Sequence, residues 1–223
     1  MRQSARAPVS APRAKPLKRP SQARARFTVQ AIYDAFVRIW QAQGWERLTT
    51  RAVALETGIS VGTLYDYFPN KQALLSGYVR HSMDELLAAI DKQVVQASDV
   101  PWQERLHNLL RLTLGMDAPE LPYYDARMLG LEHQIAELKH HQRVHGEILA
   151  AWSKALNACV DLPQPPSAHT VHTLFLSAFG GRRYLLLVNA DEATARAWAV
   201  ELERQCQLVL SVSSRAEPLG GRL

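Results

Sequence analysis

LTTRAVALETGISVGTLYDYFPNK, from Leu48 to Lys71, reads as two short helices around a tight turn. Thr49 or Thr50 is placed to cap the first helix with its hydroxyl. Val53, Ala54 and Leu55 supply the apolar side of that helix, and Ala54 is small where two helices would cross. Gly58 falls where the chain must turn sharply, a conformation that a residue without a Cβ adopts at little cost. Ile59 returns to the core and Ser60 is placed to cap the second helix. From Ile59, Leu64 and Tyr67 or Phe68 recur at helical spacing. Pro69 ends the second helix, and Asn70-Lys71 begins a third. The pattern is that of a helix-turn-helix, in which the second helix enters the DNA major groove while the first crosses the backbone.

The polar residues of the stretch suit that task. Thr49, Thr50, Ser60, Thr63, Tyr65 and Tyr67 offer hydroxyls. Val61 and Gly62 open the second helix, where the missing side chain of Gly62 allows close backbone approach. Arg51 and Lys71 offer charge. Hydroxyls, amides and cations are the groups that phosphate oxygens accept from. A buried corner of two helices with no DNA partner would show much of the same pattern.

The combination Leu48-Thr49-Thr50-Arg51, Gly58-Ile59-Ser60, Gly62-Thr63-Leu64-Tyr65 and Tyr67-Phe68-Pro69-Asn70-Lys71 resembles the N-terminal domain of the TetR/AcrR family. The resemblance runs from about Arg24 to about Met83. It implies an all-helical, homodimeric, ligand-responsive transcription factor. It also implies the DNA-binding set Thr49, Thr50, Arg51, Ser60, Val61, Gly62, Thr63, Tyr65, Tyr67 and Lys71, with Arg51 reaching a guanine.

The chain has 223 residues and a formal net charge of +5. That charge is unevenly spread. Arg2, Arg6, Arg13, Lys15, Lys18, Arg19, Arg24 and Arg26 face no acid within residues 1–26, whereas acids outnumber bases from residue 81 onward. Positive charge thus collects at the helix-turn-helix end, an electrostatic footprint for a polyanion. Residues 1–20, punctuated by Pro8, Pro12, Pro16 and Pro20, read as a disordered basic arm. Such an arm either lies along DNA or extends passively into solvent.

Helical periodicity organises the remainder. Ile32, Ala35, Phe36, Ile39 and Trp40 predict a helix over about Ala23 to Gln43 that ends at Gly44, with Trp45 packing back into the core. Leu74, Tyr78, Met83, Leu86 and Ile90 predict a long helix from Lys71 to about Val94. Further helices are expected over Trp102 to Leu114, Tyr123 to Leu131, Glu132 to Val160, Ser167 to Val188 and Asp191 to Val212. No strand pattern is evident. The expected organisation is the arm at 1–20, a DNA-binding domain at 21–84, an effector and dimerisation domain at 85–212 and a flexible tail at 213–223.

The last two helices carry a surplus of apolar side chains: Val171, Leu174, Phe175, Ala178 and Phe179 on one, Trp198, Leu202, Cys206, Val209 and Leu210 on the other. They are the expected dimer faces, with Gly180-Gly181 permitting close helix approach. A small, largely apolar effector is expected in the C-terminal half, against Tyr123, Tyr124, Arg127, His133, Trp152, Phe175 and Phe179. The expected partners are palindromic double-stranded operator DNA, that effector and a second copy of the chain. The competing readings are a helical small-molecule-binding protein or enzyme with a vestigial helix-turn-helix, and a nucleoid-type architectural binder that uses the basic arm with little sequence preference.

Several chemistries are not indicated. No catalytic or phosphate-binding motif occurs, so no enzyme activity and no cofactor are expected. Cys159 and Cys206 form no disulfide framework and no paired-thiol metal motif, which points to a reducing cytoplasm. No apolar run is long enough to span a membrane. His141 and His145 lie one turn apart, as do His169 and His172, and such spacing can present two ligands to one metal. No Cys or carboxylate repeats the spacing, and Lys139 to Arg143 reads as an exposed basic face. No metal is expected, and the histidines read as surface residues.

Overall fold

A computed structural model describes residues 23–121, 124–125, 127–128, 131 and 136–212. The proposed arm and tail lie outside the described residues. The eight α-helices of that part are α1 (Ala23–Arg47), α2 (Thr50–Thr57), α3 (Val61–Tyr67), α4 (Lys71–Ile90), α5 (Trp102–Leu114), α6 (Leu138–Asn157), α7 (Ala168–Leu187) and α8 (Glu192–Val212). No strand occurs among the described residues. None of the helices is long and apolar enough to cross a membrane among the described residues. The chain divides into two compact units, one reaching Arg80 and the other starting at His81.

In the first unit, α1 buries Ile32, Ala35, Phe36 and Ile39, the stripe its periodicity marks. Its regular part stops at Gly44, where φ is 75°. Leu48, Val53, Ala54, Leu64 and Phe68 join these residues in the core. Leu55, expected on the apolar side of α2, is instead 82% exposed. An eight-residue helix turns only about twice, and Val53 and Ala54 already fill the stripe facing α1 and α3. Tyr33 packs against Phe68 at 5.7 Å between ring centroids, and Phe36 against Tyr78 at 5.0 Å. Asn70 caps α4, its Oδ1 accepting from the Ala73 N–H at 2.7 Å.

The second unit takes the rest of α4, a π-helical turn at Asp91–Val95, and α5 to α8. Its core includes Leu86, Ile90, Leu106, Trp152, Phe175 and Cys206. Arg105 is also inside, at 1% exposure. Its guanidinium donates to the carbonyls of Val94 (2.7 Å), Ala158 (2.9 Å) and Val95 (3.1 Å). These oxygens end the π-helical turn and α6, where backbone carbonyls lack helical partners and the helix dipole is negative. One buried cation therefore closes two helix ends. Both cysteines are buried. Burial pushes the Cys159 thiol up and that of Cys206 up to about 11, which makes them poor nucleophiles.

Two expectations are corrected here. The helix expected from Glu132 begins at Leu138 instead. The Glu137 N–H donates to His140 Nδ1 at 3.0 Å, so the start is closed by a side chain rather than by a further turn. Much of the helix expected over 123–131 lies outside the described residues, and Arg127 and Met128 form a 3₁₀ turn rather than an α-helix.

The apolar faces assigned to a second copy are also corrected. Val171, Leu174, Phe175 and Ala178 are buried within the chain, as are Leu202, Cys206 and Leu210. Gly181 packs against Trp198 of the same chain, so closely that an added Cβ would lie 2.4 Å from the indole Cζ2. What α7, its C-cap and α8 leave exposed is, apart from the expected Val209, a different set: Leu176, Tyr184, Leu187 and Val188, with Val200, Leu208 and Val212.

Candidate nucleic-acid interface

The geometry of α2 and α3 follows from their caps. Thr49 is the N-cap of α2, its Oγ1 accepting from the Ala52 N–H at 3.0 Å. Ser60 caps α3, its Oγ accepting from the Thr63 N–H at 2.9 Å and pairing with Thr63 Oγ1 at 2.9 Å. Between them Gly58 sits in the left-handed region (φ 74°, ψ 23°). The Gly58 N–H donates to Leu55 O and the Ile59 N–H to Ala54 O, which satisfies the last carbonyls of α2 while reversing the chain. Leu64 and Phe68 anchor α3 to the core. Val61, Gly62, Tyr65 and Asp66 are left exposed.

Around this face Arg51 is exposed in the first turn of α2. Thr50 Oγ1 lies 3.2 Å from the Tyr65 hydroxyl, so the first and second helices of the motif share a hydroxyl pair on their outer side. Tyr67 is half-buried with its ring centroid 6.4 Å from that of Phe68. Arg38 of α1 donates to Glu56 in the last turn of α2 at 2.9 Å, an exposed pair.

Lys71 has a specific intramolecular arrangement. Its ammonium donates to the Trp45 carbonyl and sits 3.9 Å from the centroid of the Trp45 ring. Desolvation lowers its pKa, with the Glu46 charge opposing. Trp45 is half-buried, its ring 6.2 Å from that of Trp40 and inclined to it at 59°, rather than wholly in the core. Neither periodicity nor composition signals this pairing, because Trp45 and Lys71 are 26 residues apart. The Asn70 cap had a local signal: an Asn directly before an apolar-periodic run.

Residues 32–78 match the family model described as "Bacterial regulatory proteins, tetR family". That segment is similar to the N-terminal domain of the TetR family. Within 72 residues the chain is 38% identical to the HTH-type transcriptional repressor KstR of Mycobacterium tuberculosis, covering 32% of each protein. Over the same length it is 32% identical to the nucleoid occlusion factor SlmA of Haemophilus influenzae, again covering 32% of each. The matched segment thus spans about a third of these relatives. Their different printed roles show that likeness in this segment does not by itself assign a regulatory role. A TetR transcription regulator from Haloarcula marismortui superposes with a TM-score of 0.62 at 17% identity. That match covers 83% of this chain and 97% of the other, so the likeness of fold reaches into the second unit.

The residues expected at an effector site are placed differently from one another. Tyr123 and His133 lie outside the described residues. Arg127 is paired with Asp125 and mostly exposed. Trp152 is fully buried, and its indole N–H donates to Thr113 Oγ1 at 3.0 Å. Phe175 is buried at 6.0 Å from Trp152, and the half-buried Phe179 stacks on it at 5.5 Å. Tyr124 is half-buried against the core. The structure therefore brings Trp152, Phe175 and Phe179 together.

Proposed function

We propose that the chain is a cytoplasmic, homodimeric, sequence-specific DNA-binding transcriptional regulator, acting as a repressor that a small apolar effector releases from its operator. The observation that carries this reading is the capped helix-turn-helix. It leaves Val61, Gly62 and Tyr65 of α3 outward, with Arg51 and the Thr50–Tyr65 hydroxyl pair exposed on the same motif. In this reading α3 enters the major groove. Arg51 donates to a guanine edge, and Thr49, Thr50, Ser60, Thr63, Tyr65, Tyr67 and Lys71 hold phosphates. Ser60 accepts from the Thr63 N–H and the two hydroxyls pair, which positions the start of α3 before DNA arrives and leaves one hydroxyl hydrogen to donate to a phosphate.

Dimerisation is assigned to the exposed apolar residues of α7 and α8. A second copy covering Tyr184, Leu187 and Val188 would supply the two-fold symmetry that a palindromic operator requires. For the effector, Tyr124 and Phe179 are the half-buried members of the expected set, and Phe179 is backed by buried aromatic rings. Such a lining suits a largely apolar ligand.

The test is selection of binding sites from a random duplex library by the full chain at physiological salt, followed by titration of the selected site. A palindromic site bound far more tightly than scrambled duplex is the expected result. Binding that depends on salt but shows no sequence preference would overturn the proposal in favour of a charge-driven architectural role.

A further inference from the structure

We propose that His145 and His172 form a tetrahedral metal-binding site, suited to Zn²⁺, between α6 and α7. The two residues come from separate one-turn histidine pairs in the sequence, and the fold joins one member of each. Their Nε2 atoms lie 3.3 Å apart, with ring centroids at 5.3 Å and planes inclined at 74°. The His145 ring also meets the fully buried Phe175 edge to face at 5.2 Å, which fixes its orientation from the core side. Both imidazoles are half-buried, so the converging nitrogens are partly sheltered while the site stays open to solvent.

The separation of the nitrogens selects the geometry. Two Zn–N bonds of about 2.05 Å at a tetrahedral angle place their nitrogens about 3.3 Å apart. Neighbouring positions in a square-planar copper site fall closer, at about 2.8 Å. The nitrogens therefore already stand at a tetrahedral ligand–ligand distance. Without metal the contact is a hydrogen bond, in which one Nε2 carries the proton and the other accepts it. Ligation moves that proton to Nδ1 of the same neutral ring and frees both Nε2 lone pairs for the ion.

No group of three or more His, Cys, Asp or Glu converges on a metal position among the described residues. The ion thus takes two protein ligands and keeps two positions for water or an added ligand. His140, close by in sequence, uses its Nδ1 to accept from the Glu137 N–H. Acids outnumber bases from residue 81 onward, which favours a cation in this unit. The bound ion would cross-link α6 to α7.

The test uses the full chain stripped of metal by a chelator, then titrated with Zn²⁺ and separately with Co²⁺. The expected result is one ion per chain, the visible absorption of four-coordinate Co²⁺, and a Zn²⁺-dependent rise in melting temperature. His145→Gln and His172→Gln should each weaken binding by about a hundredfold or more, beyond the loss typical of an outer-shell change. His169→Gln should bind normally. Should either ligand variant fail to fold, protection of His145 and His172 from chemical modification by Zn²⁺ in the wild-type chain decides the question. The proposal is overturned by absence of Zn²⁺ uptake, by uptake that survives both ligand substitutions, by loss in His169→Gln, or by Co²⁺ spectra of six-coordinate character. None of these measurements involves DNA, so the result is independent of the regulator reading.

Discussion

Replacing Arg105 is the most informative single perturbation of the second unit. Its side chain has 1% exposure, and among the described residues its hydrogen bonds go to three carbonyls and to no carboxylate. Hydrogen bonds from a charged donor contribute about 1.5–3 kcal/mol each, and burying the guanidinium offsets several kcal/mol of that gain. Arg105→Met keeps much of the apolar volume but leaves three carbonyls without a donor, at about 1–3 kcal/mol for each buried unpaired group. The bond to Val94 is wholly buried and the other two are partly so. The expected loss is therefore about 3–5 kcal/mol, a large share of the stability of an ordinary domain. Arg105→Lys should lose less, since an ammonium keeps the charge but cannot span three acceptors set around a planar fork. The assay is urea unfolding followed by far-ultraviolet circular dichroism and tryptophan emission, comparing midpoints at equal slope. A loss below about 1 kcal/mol for Arg105→Met would refute the reasoning, because it would mean that water satisfies these helix ends as well as the guanidinium does.

Further expectations concern the DNA-facing and dimer-facing surfaces. Arg51→Ala should weaken operator binding by about 1–3 kcal/mol and relax preference at one base pair per half-site, measured by anisotropy titration against single-position variants. Lys71→Ala should lower the salt slope of binding by about one, through loss of a phosphate contact. An unchanged slope with a lower melting temperature would reduce Lys71 to a fastener of Trp45. Leu187→Asp together with Tyr184→Glu should give monomers by sedimentation while preserving helical content, since both side chains are exposed in the single chain. Acid stability should depend on Glu120. The hydrogen bond from Arg111 holds its carboxyl at about 2, against 4.5 ordinarily. The pair's contribution is thus fully present above about pH 4.5 and is lost as pH falls toward about 2. Glu120→Gln should flatten that limb of the acid-unfolding curve.

The first unit was highly legible because its signals are local. The Thr49 and Ser60 caps, the Gly58 turn and the Ile32–Phe36–Ile39 stripe each depend on residues within a turn or two of one another. Such signals survive in the sequence whatever the tertiary packing does. The corrections fall where a residue's role depends on something distant. Phe175 and Leu187 are equally apolar and share one helix, and periodicity cannot tell which stripe meets the chain's own core. Arg105 reads as an ordinary surface cation until Val94, Val95 and Ala158 come together around it. The Lys71–Trp45 contact and the His145–His172 pair are likewise invisible to spacing, since each joins residues that only the fold makes neighbours. The start of α6 was missed because Glu137 and His140 close it with an uncommon side-chain acceptor rather than a Ser, Thr or Asp.

The turn after α5 has a consequence for how tolerance to mutation will be distributed along the chain. Gly115 adopts φ 61°, and a Cβ there would lie 2.1 Å from Cε1 of Tyr124. Gly58 has a similar φ of 74° but open space around it. In a saturation library Gly58 should therefore admit Asn, which visits this region of backbone space with modest strain. Gly115 should admit nothing without expelling the Tyr124 ring. A library scored only for activity would mark position 115 as sharply as a ligand contact, although its intolerance would come from the ring standing where a side chain would begin. Pairing each Gly115 substitution with Tyr124→Ala separates the two origins: partial recovery identifies a steric lock on the loop, and the residual deficit measures the backbone strain alone.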